Sequence, residues 1–148
     1  MKVETILVPT DFSDDAQQAL STAKELAKRF GAKLVLLHAY CATLPLASPL
    51  SVPYTLPDSF YQEVRDQATA QVESAVKQLE AEGMEATGVA VPDPASLAIV
   101  AQAEQLHADL IVMGTRGLTG LKHVALGSVA ERVVRTAPCP VLTVKADS

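Results

Sequence analysis

Cysteine is scarce in this chain. Its 148 residues include two, Cys41 and Cys139. They lie far apart and form no CxxC or metal-spaced group, which points to free thiols in a reducing compartment. Three histidines, His38, His107 and His123, are scattered without close cysteine or carboxylate partners, so no zinc site is expected. An excess of basic charge is also lacking: 12 Lys and Arg stand against 17 Asp and Glu, a formal net charge of −5. That balance argues against a protein that tracks nucleic-acid backbones, because such proteins need a basic surface. No apolar segment approaches the length of a bilayer span. No secretory signal is visible, since the short apolar run Ile6 to Val8 passes at once to Pro9 and Asp11. The expectation is a cytoplasmic protein with neither nucleic-acid nor membrane partners.

What is present suits one domain spanning residues 1–148. Hydrophobic residues make up 49% and charged residues 20%, enough for a core and too ordinary for disorder. Thr5 to Pro9 reads as a short buried strand. Ser13 can cap the following helix, with Asp14 and Asp15 in its first turn. Ala16, Ala19, Leu20, Ala23, Leu26, Ala27 and Phe30 recur at helical spacing, and Gly31 ends that helix. Leu34 to Leu37 is an unbroken apolar run, as in a strand covered on both faces. Residues 41–57 carry Pro45, Pro49, Pro53 and Pro57 and read as a long variable surface loop.

A second helix begins near Asp58 or Ser59 and closes at Gly83. Glu85 to Val91 contains Gly88 and belongs at or near a sheet edge. Asp93 before Pro94 reads as a cap and first-turn pair, opening a helix that runs to about His107. Asp109 to Met113 is another apolar strand. Ser128 with Glu131 reads as a capping box for a fourth helix, and Val141 to Lys145 as the last strand. Strands and helices thus alternate. The fold class is α/β, a single doubly wound five-stranded parallel sheet with helices on both faces. Ligands in such sheets bind beyond the carboxyl ends of the strands, where strand order reverses. Pro9-Thr10-Asp11, His38-Ala39-Tyr40 and the stretch from Gly114 onward all sit at such ends.

That last stretch reads Gly114-Thr115-Arg116-Gly117-Leu118-Thr119-Gly120, then Gly127-Ser128. Glycine lets a backbone approach a ligand closely, and a helix start offers free N–H groups to an anion. No acidic residue occurs from Leu110 to Ala130, whereas Arg116 and Lys122 do. In an acidic protein this makes a local electropositive site suited to phosphate. It is not a Walker A loop, because no Gly-Lys-Ser/Thr follows, and it is not the dinucleotide fingerprint, which follows the first strand.

The pattern Gly114-x2-Gly117-x9-Gly127-Ser128 resembles the nucleotide-binding motif of the universal stress proteins, ATP-binding type. The segments "ILVPTDFSDDAQQAL", "LVLLHAY" and "ADLIVMGTRGLTGLKHVALGSVAERVVRTAPCPVLTVK" are similar to the family's opening, second strand and most characteristic region. The resemblance covers nearly the whole chain. It implies a Rossmann-like fold of the adenine nucleotide alpha-hydrolase type, a bound ATP or other adenine nucleotide (ADP or AMP), and a stress-response role. By position, Pro9, Thr10 and Asp11 would line the adenine and ribose end, and Ala39 would meet adenine through its backbone. Met113, Gly114, Thr115, Arg116, Gly117, Leu118, Thr119 and Gly120, with Gly127, Ser128 and Val129, would surround ribose and phosphates. Asp11 is also the candidate for Mg²⁺ carried with the nucleotide. The family departs from this chain after the third strand, where Val91-Pro92-Asp93-Pro94 replaces a glycine-led stretch. The resemblance further implies a homodimer through the last strand, Val141, Leu142, Thr143 and Val144, a short apolar edge that invites pairing.

Two other functions compete. ATP hydrolysis needs a positioned water, an orienting group and usually Mg²⁺, and Asp11 is the one evident candidate, so turnover is expected to be absent or slow. A receiver-type phospho-acceptor domain shares the alternating layout, with Asp11, Asp93, Thr115 and Lys145 near strand ends. It would leave the glycine pattern unexplained.

Overall fold

The computed structural model describes residues 1–40, 57–116 and 126–146. Five strands lie side by side and parallel in the order β3-β2-β1-β4-β5: β1 (Thr5–Pro9), β2 (Lys33–Ala39), β3 (Ala86–Val91), β4 (Leu110–Gly114) and β5 (Val141–Val144). The helices between them are α1 (Asp14–Phe30), α2 (Asp58–Ala81), α3 (Ala95–Leu106) and α4 (Ser128–Thr136). The doubly wound α/β class read from the sequence is the one observed, with β3 and β5 at the two edges as expected.

The apolar runs become strands because both sheet faces are covered. Side chains alternate across a strand, so Leu34 and Leu36 enter one core with Ile6, Val8 and Val112, against Ala19, Ala23 and Ala27 of α1 and Leu79 of α2. Val35 and Leu37 enter the other core with Leu7, Ile111 and Met113, against α3 and α4 through Ile99, Ala103, Ala130 and Val133. β1 is central: Leu7 pairs with Val35 on one side and Ile111 on the other. The alanines of α1 keep that helix close to the sheet, which matters for the site below.

Both ends of α1 follow local chemistry. Ser13 is the N-cap of α1, its hydroxyl accepting from the Ala16 amide at 3.2 Å, and Gly31 closes the helix at φ 68°. Two expected caps differ. Pro94, not Asp93, occupies the N-cap of α3, and no side-chain capping bond forms there. Proline fixes φ near the value that the residue before a helix can also use, so the helix starts one residue later than the Asp-Pro pair suggested. At α4 the N-cap is Gly127, with Ser128 already helical. The Gly127 N–H is held by the Thr115 carbonyl at 2.6 Å, and the Ser128–Glu131 capping box gives way to this tertiary bond. His107 ends α3 in the left-handed region at φ 51°.

The strand order also separates the acids that a receiver-type domain would need together. Asp93 follows β3 at the sheet edge, and β2 stands between it and β1. Doubly wound signalling domains have the order 2-1-3-4-5, with the third strand beside the first. The observed order removes that reading. Among the described residues, no helix is long and apolar enough to cross a membrane.

One carboxylate ties the amino ends of the central strands. Asp109 Oδ2 accepts from the Glu4 amide at 2.9 Å and the Thr5 amide at 3.0 Å. Removing it strands two backbone donors next to a covered sheet. Asp109→Ala is expected to lower the unfolding free energy by about 2 kcal/mol, and Asp109→Asn, which keeps an acceptor, by about half as much. Urea denaturation of the two variants measures both, and equal losses would assign the effect to charge rather than to the paired amides.

Candidate functional site

The chain builds outward from β1 through β2 to β3, then returns to the other side of β1 with β4 and β5. Strand order therefore reverses between β1 and β4, and a crevice lies beyond their carboxyl ends. Three segments meet there: the turn after β1, the end of β2, and the start of the glycine-rich stretch after β4.

The turn after β1 is held by its own polar atoms. The Thr10 amide donates to the Leu37 carbonyl at 2.8 Å. Thr10 Oγ1 accepts from the Phe12 amide, and Asp11 Oδ1 accepts from the Ser13 amide, both at 3.0 Å. These side-chain turns suit Thr and Asp, and they let Phe12 stand at φ 62°, a conformation that β-carbon-bearing residues adopt at a cost. His38, from β2, lies 2.9 Å through Nδ1 from the Thr10 carbonyl. A carbonyl only accepts, so Nδ1 carries the proton and donates. The Phe12 ring packs edge-on against His38 at 4.8 Å. His38 thus holds the turn, as the structural role expected of it requires. Ala39 ends β2 half-buried next to this turn.

The wall from β4 is tighter. A β-carbon placed on Gly114 would sit 3.1 Å from both Cβ and the carbonyl oxygen of Asp15, in the first turn of α1. Glycine is needed here because backbone meets backbone. Thr115 follows, with its N–H on the Val144 carbonyl at 3.2 Å and its carbonyl taken by Gly127. A β-carbon on Gly127 would lie 3.1 Å from that same Thr115 carbonyl. The two glycines at either end of the motif are therefore close-approach positions, one packed on α1 and one on the end of β4.

Two polar features stand out. Thr115 is 6% exposed, and its hydroxyl is buried with no hydrogen-bond partner among the described residues. Arg116 Nε lies 3.2 Å from Asp15 Oδ2, with the two side chains only 15% and 13% exposed. The sequence reading treated Asp15 solely as a first-turn acid. The signal that could have found it is the acid-free stretch itself: a poorly solvated Arg116 must take its counter-charge from another segment.

The remaining candidates divide. Met113 is buried in the core on the α3 and α4 side. Pro9 and Asp11 are half-buried at the crevice. Ser128 and Val129 are exposed in the first turn of α4, where an open groove of about 300 Å³ runs past Ser96, Arg132 and Arg135. Gly117, Leu118, Thr119 and Gly120 lie outside the described residues, as does the 41–56 part of the proline-rich loop. Cys139 is half-buried away from the crevice, and burial first, with Asp109 nearby second, raises its thiol pKa. That shift disfavours the reactive thiolate.

Comparison with known proteins fits this geometry. The model of the universal stress protein family matches residues 2–145. A universal stress protein of Thermus aquaticus is 39% identical over 148 residues, covering 96% of this chain and 98% of the relative. A solved universal stress protein of Methanocaldococcus jannaschii superposes with a TM-score of 0.78 at 31% identity, covering 100% of this chain and 99% of that one. A universal stress protein solved in complex with cAMP gives 0.70 at 27%, covering 99% and 100%. One from Archaeoglobus fulgidus in complex with dAMP gives 0.64 at 25%, covering 97% and 98%. From its first strand to its last, this chain belongs to the universal stress protein family.

Proposed function

We propose that this chain is one nucleotide-binding domain that holds an adenine nucleotide in the crevice between β1 and β4, as a regulatory protein of the stress response in the cytoplasm. The observation that carries the reading is the buried Thr115 hydroxyl without a partner, set between the two close-approach glycines at the reversal of strand order. An unpaired buried hydroxyl costs roughly 1–3 kcal/mol, a cost that a ligand oxygen at that place would recover. The relatives solved with cAMP and dAMP support the ligand class, since those two ligands share adenine and a phosphate.

On this reading Pro9, Thr10 and Asp11 line the base and ribose end, with the Ala39 backbone against adenine. Gly114, Thr115, Arg116 and Gly117 surround ribose and phosphates. Gly127, Ser128 and Val129 offer the amides of the α4 start, a favourable place for an anion. Leu118, Thr119 and Gly120 complete the loop. ATP, ADP and AMP all belong to the class, and Asp11 is the group that would meet Mg²⁺ accompanying the phosphates. The role is to hold the nucleotide rather than consume it: Asp11 is anchored by the Ser13 amide, as a fixed orienting acceptor rather than a mobile base.

The direct test is to denature the purified protein, identify released nucleotide by mass, and titrate the stripped protein with AMP and ATP by calorimetry. Adenine nucleotide is expected in one or both measurements, with product formation from ATP absent or slow. No binding of either at millimolar concentration would remove the reading, and rapid Asp11-dependent turnover would replace it with an ATPase. Thr115→Val removes the unpaired hydroxyl while keeping the branched shape. The ligand-free melting temperature is expected to hold or rise, while nucleotide affinity falls about fivefold, the equivalent of roughly one hydrogen bond. A variant that melts lower and binds normally would show that the hydroxyl serves the fold instead.

We also propose a homodimer through β5. The Pro140 and Val144 carbonyls bond inward to the Ile111 and Thr115 amides, so strand alternation turns the backbone groups of Val141 and Thr143 to the open edge. Leu142 is 38% exposed beside them. Sedimentation should give twice the chain mass for the native protein and the single mass for Thr143→Pro, which deletes an outward donor. A native monomer at micromolar concentration would sink the proposal.

A further inference from the structure

Arg116 follows directly on the close-approach glycine of β4, and on the reading above it faces the phosphates. Its charge is already answered. Asp15 Oδ2 lies 3.2 Å from Nε, and both side chains are largely out of solvent, where charges are screened least. The pairing is not a chance meeting of long side chains. The backbone of Asp15 is packed against Gly114, with its carbonyl 3.1 Å from where a β-carbon would lie. Ser13 caps the helix two residues earlier, and Asp15 in the first turn suits the helix dipole. The carboxylate is therefore placed by the fold at the phosphate end of the crevice, whether or not a ligand is present.

A fixed carboxylate at that point has a consequence for selectivity. The pair Asp15–Arg116 is close to neutral as a unit, so it offers a phosphate hydrogen-bond donors without net attraction. AMP and ATP share the base, the sugar and the first phosphate. They differ in two further phosphates, each adding negative charge. A nearby unit charge acts on each of these, so Asp15 weighs more against the ligand with the longer phosphate chain.

We propose that Asp15 is a specificity-determining residue of this crevice: by neutralising Arg116 it holds down affinity for adenosine triphosphate relative to the monophosphate. The inference rests on the nucleotide-binding reading and assigns the charge selectivity of that site. Asp15→Asn isolates it, because the amide oxygen still accepts from Arg116 Nε while the charge is gone.

The experiment is calorimetric titration of native protein and Asp15→Asn with AMP and with ATP, in EDTA so that no Mg²⁺ masks the phosphates. The variant is expected to raise the preference for ATP over AMP about tenfold, mostly by tighter ATP binding. Asp15→Glu, which keeps the charge, should stay near the native ratio. Potassium chloride adds a second measurement that a purely structural role would not move. Between about 50 and 500 mM, ATP affinity should fall more steeply in Asp15→Asn than in native protein, whose neutral pair leaves little attraction to screen. The native salt profile stands by itself if a variant folds poorly: a shallow slope supports the proposal and a steep one opposes it. Equal changes for both nucleotides, or looser binding of both, would overturn the charge role while leaving the nucleotide site intact. Native protein that binds neither nucleotide would overturn both.

Discussion

The contact between the end of β4 and the first turn of α1 governs the site. At Gly114 a β-carbon would fit only tightly, because Asp15 of α1 lies 3.1 Å from that position. With β1 running directly into the turn that α1 follows, this closeness fixes the amino end of α1 over the crevice. The same approach brings the Asp15 carboxylate to Arg116. On the far side, the Gly127 N–H reaches back to the Thr115 carbonyl and sets the start of α4. Two helix starts, each with a positive dipole end, converge on one strand end. A side chain at Gly114 would press on the first turn of α1 at Asp15, the residue that pairs with Arg116.

Polar groups of this fold are unequal in what they contribute. Exposed pairs such as Lys2–Glu4 and Arg135–Glu131 sit in water and contribute little to stability. Asp15–Arg116 is mostly desolvated, so its attraction is offset by the cost of leaving water, and it is weak evidence of stability for the same reason. Its value lies in orientation: the guanidinium is held in one place before any ligand arrives. The Thr10, Asp11 and His38 bonds act alike on the other wall. They cover the cost of Phe12 at positive φ, a conformation that survives only where neighbours over-determine it. Against this background the Thr115 hydroxyl is, among the described residues, the buried side-chain group left without a hydrogen bond.

Much of this fold was legible because local and global preferences agree. Leu34 to Leu37 could be read as a strand covered on both faces, since no residue in it tolerates water on either side. Ser13 and Gly31 announced the ends of α1 through chemistry that depends on a few neighbours alone. What could not be read was decided at a distance. Ser128 has the composition of a cap, but a bond from Gly127 to Thr115, twelve residues earlier, moves the helix start. Asp93 has the same composition and loses the position to Pro94. The receiver-type alternative survived in the sequence because alternation of strands and helices does not specify strand order. It disappeared once β3 was seen at the edge, beyond β2. In the site, the glycines were visible as a pattern, whereas the Asp15–Arg116 pair spans 101 positions and no spacing rule reaches that far.

On the proposed function, the arrangement also bears on why the domain would hold a nucleotide rather than consume it. Chemistry on a phosphate chain calls for groups that strengthen their contacts as charge shifts in the transition state. The backbone bonds of the crevice walls, from Thr10 to Leu37, from Thr115 to Val144 and from Gly127 to Thr115, are already made within the protein, so those groups are committed to the fold. Arg116, the cation that follows Gly114, is already paired with Asp15, so it adds donors but little net charge to stabilise a developing anion. A paired arginine gains less as charge develops in a transition state than an unpaired one would, and on the proposed function this favours occupancy over turnover.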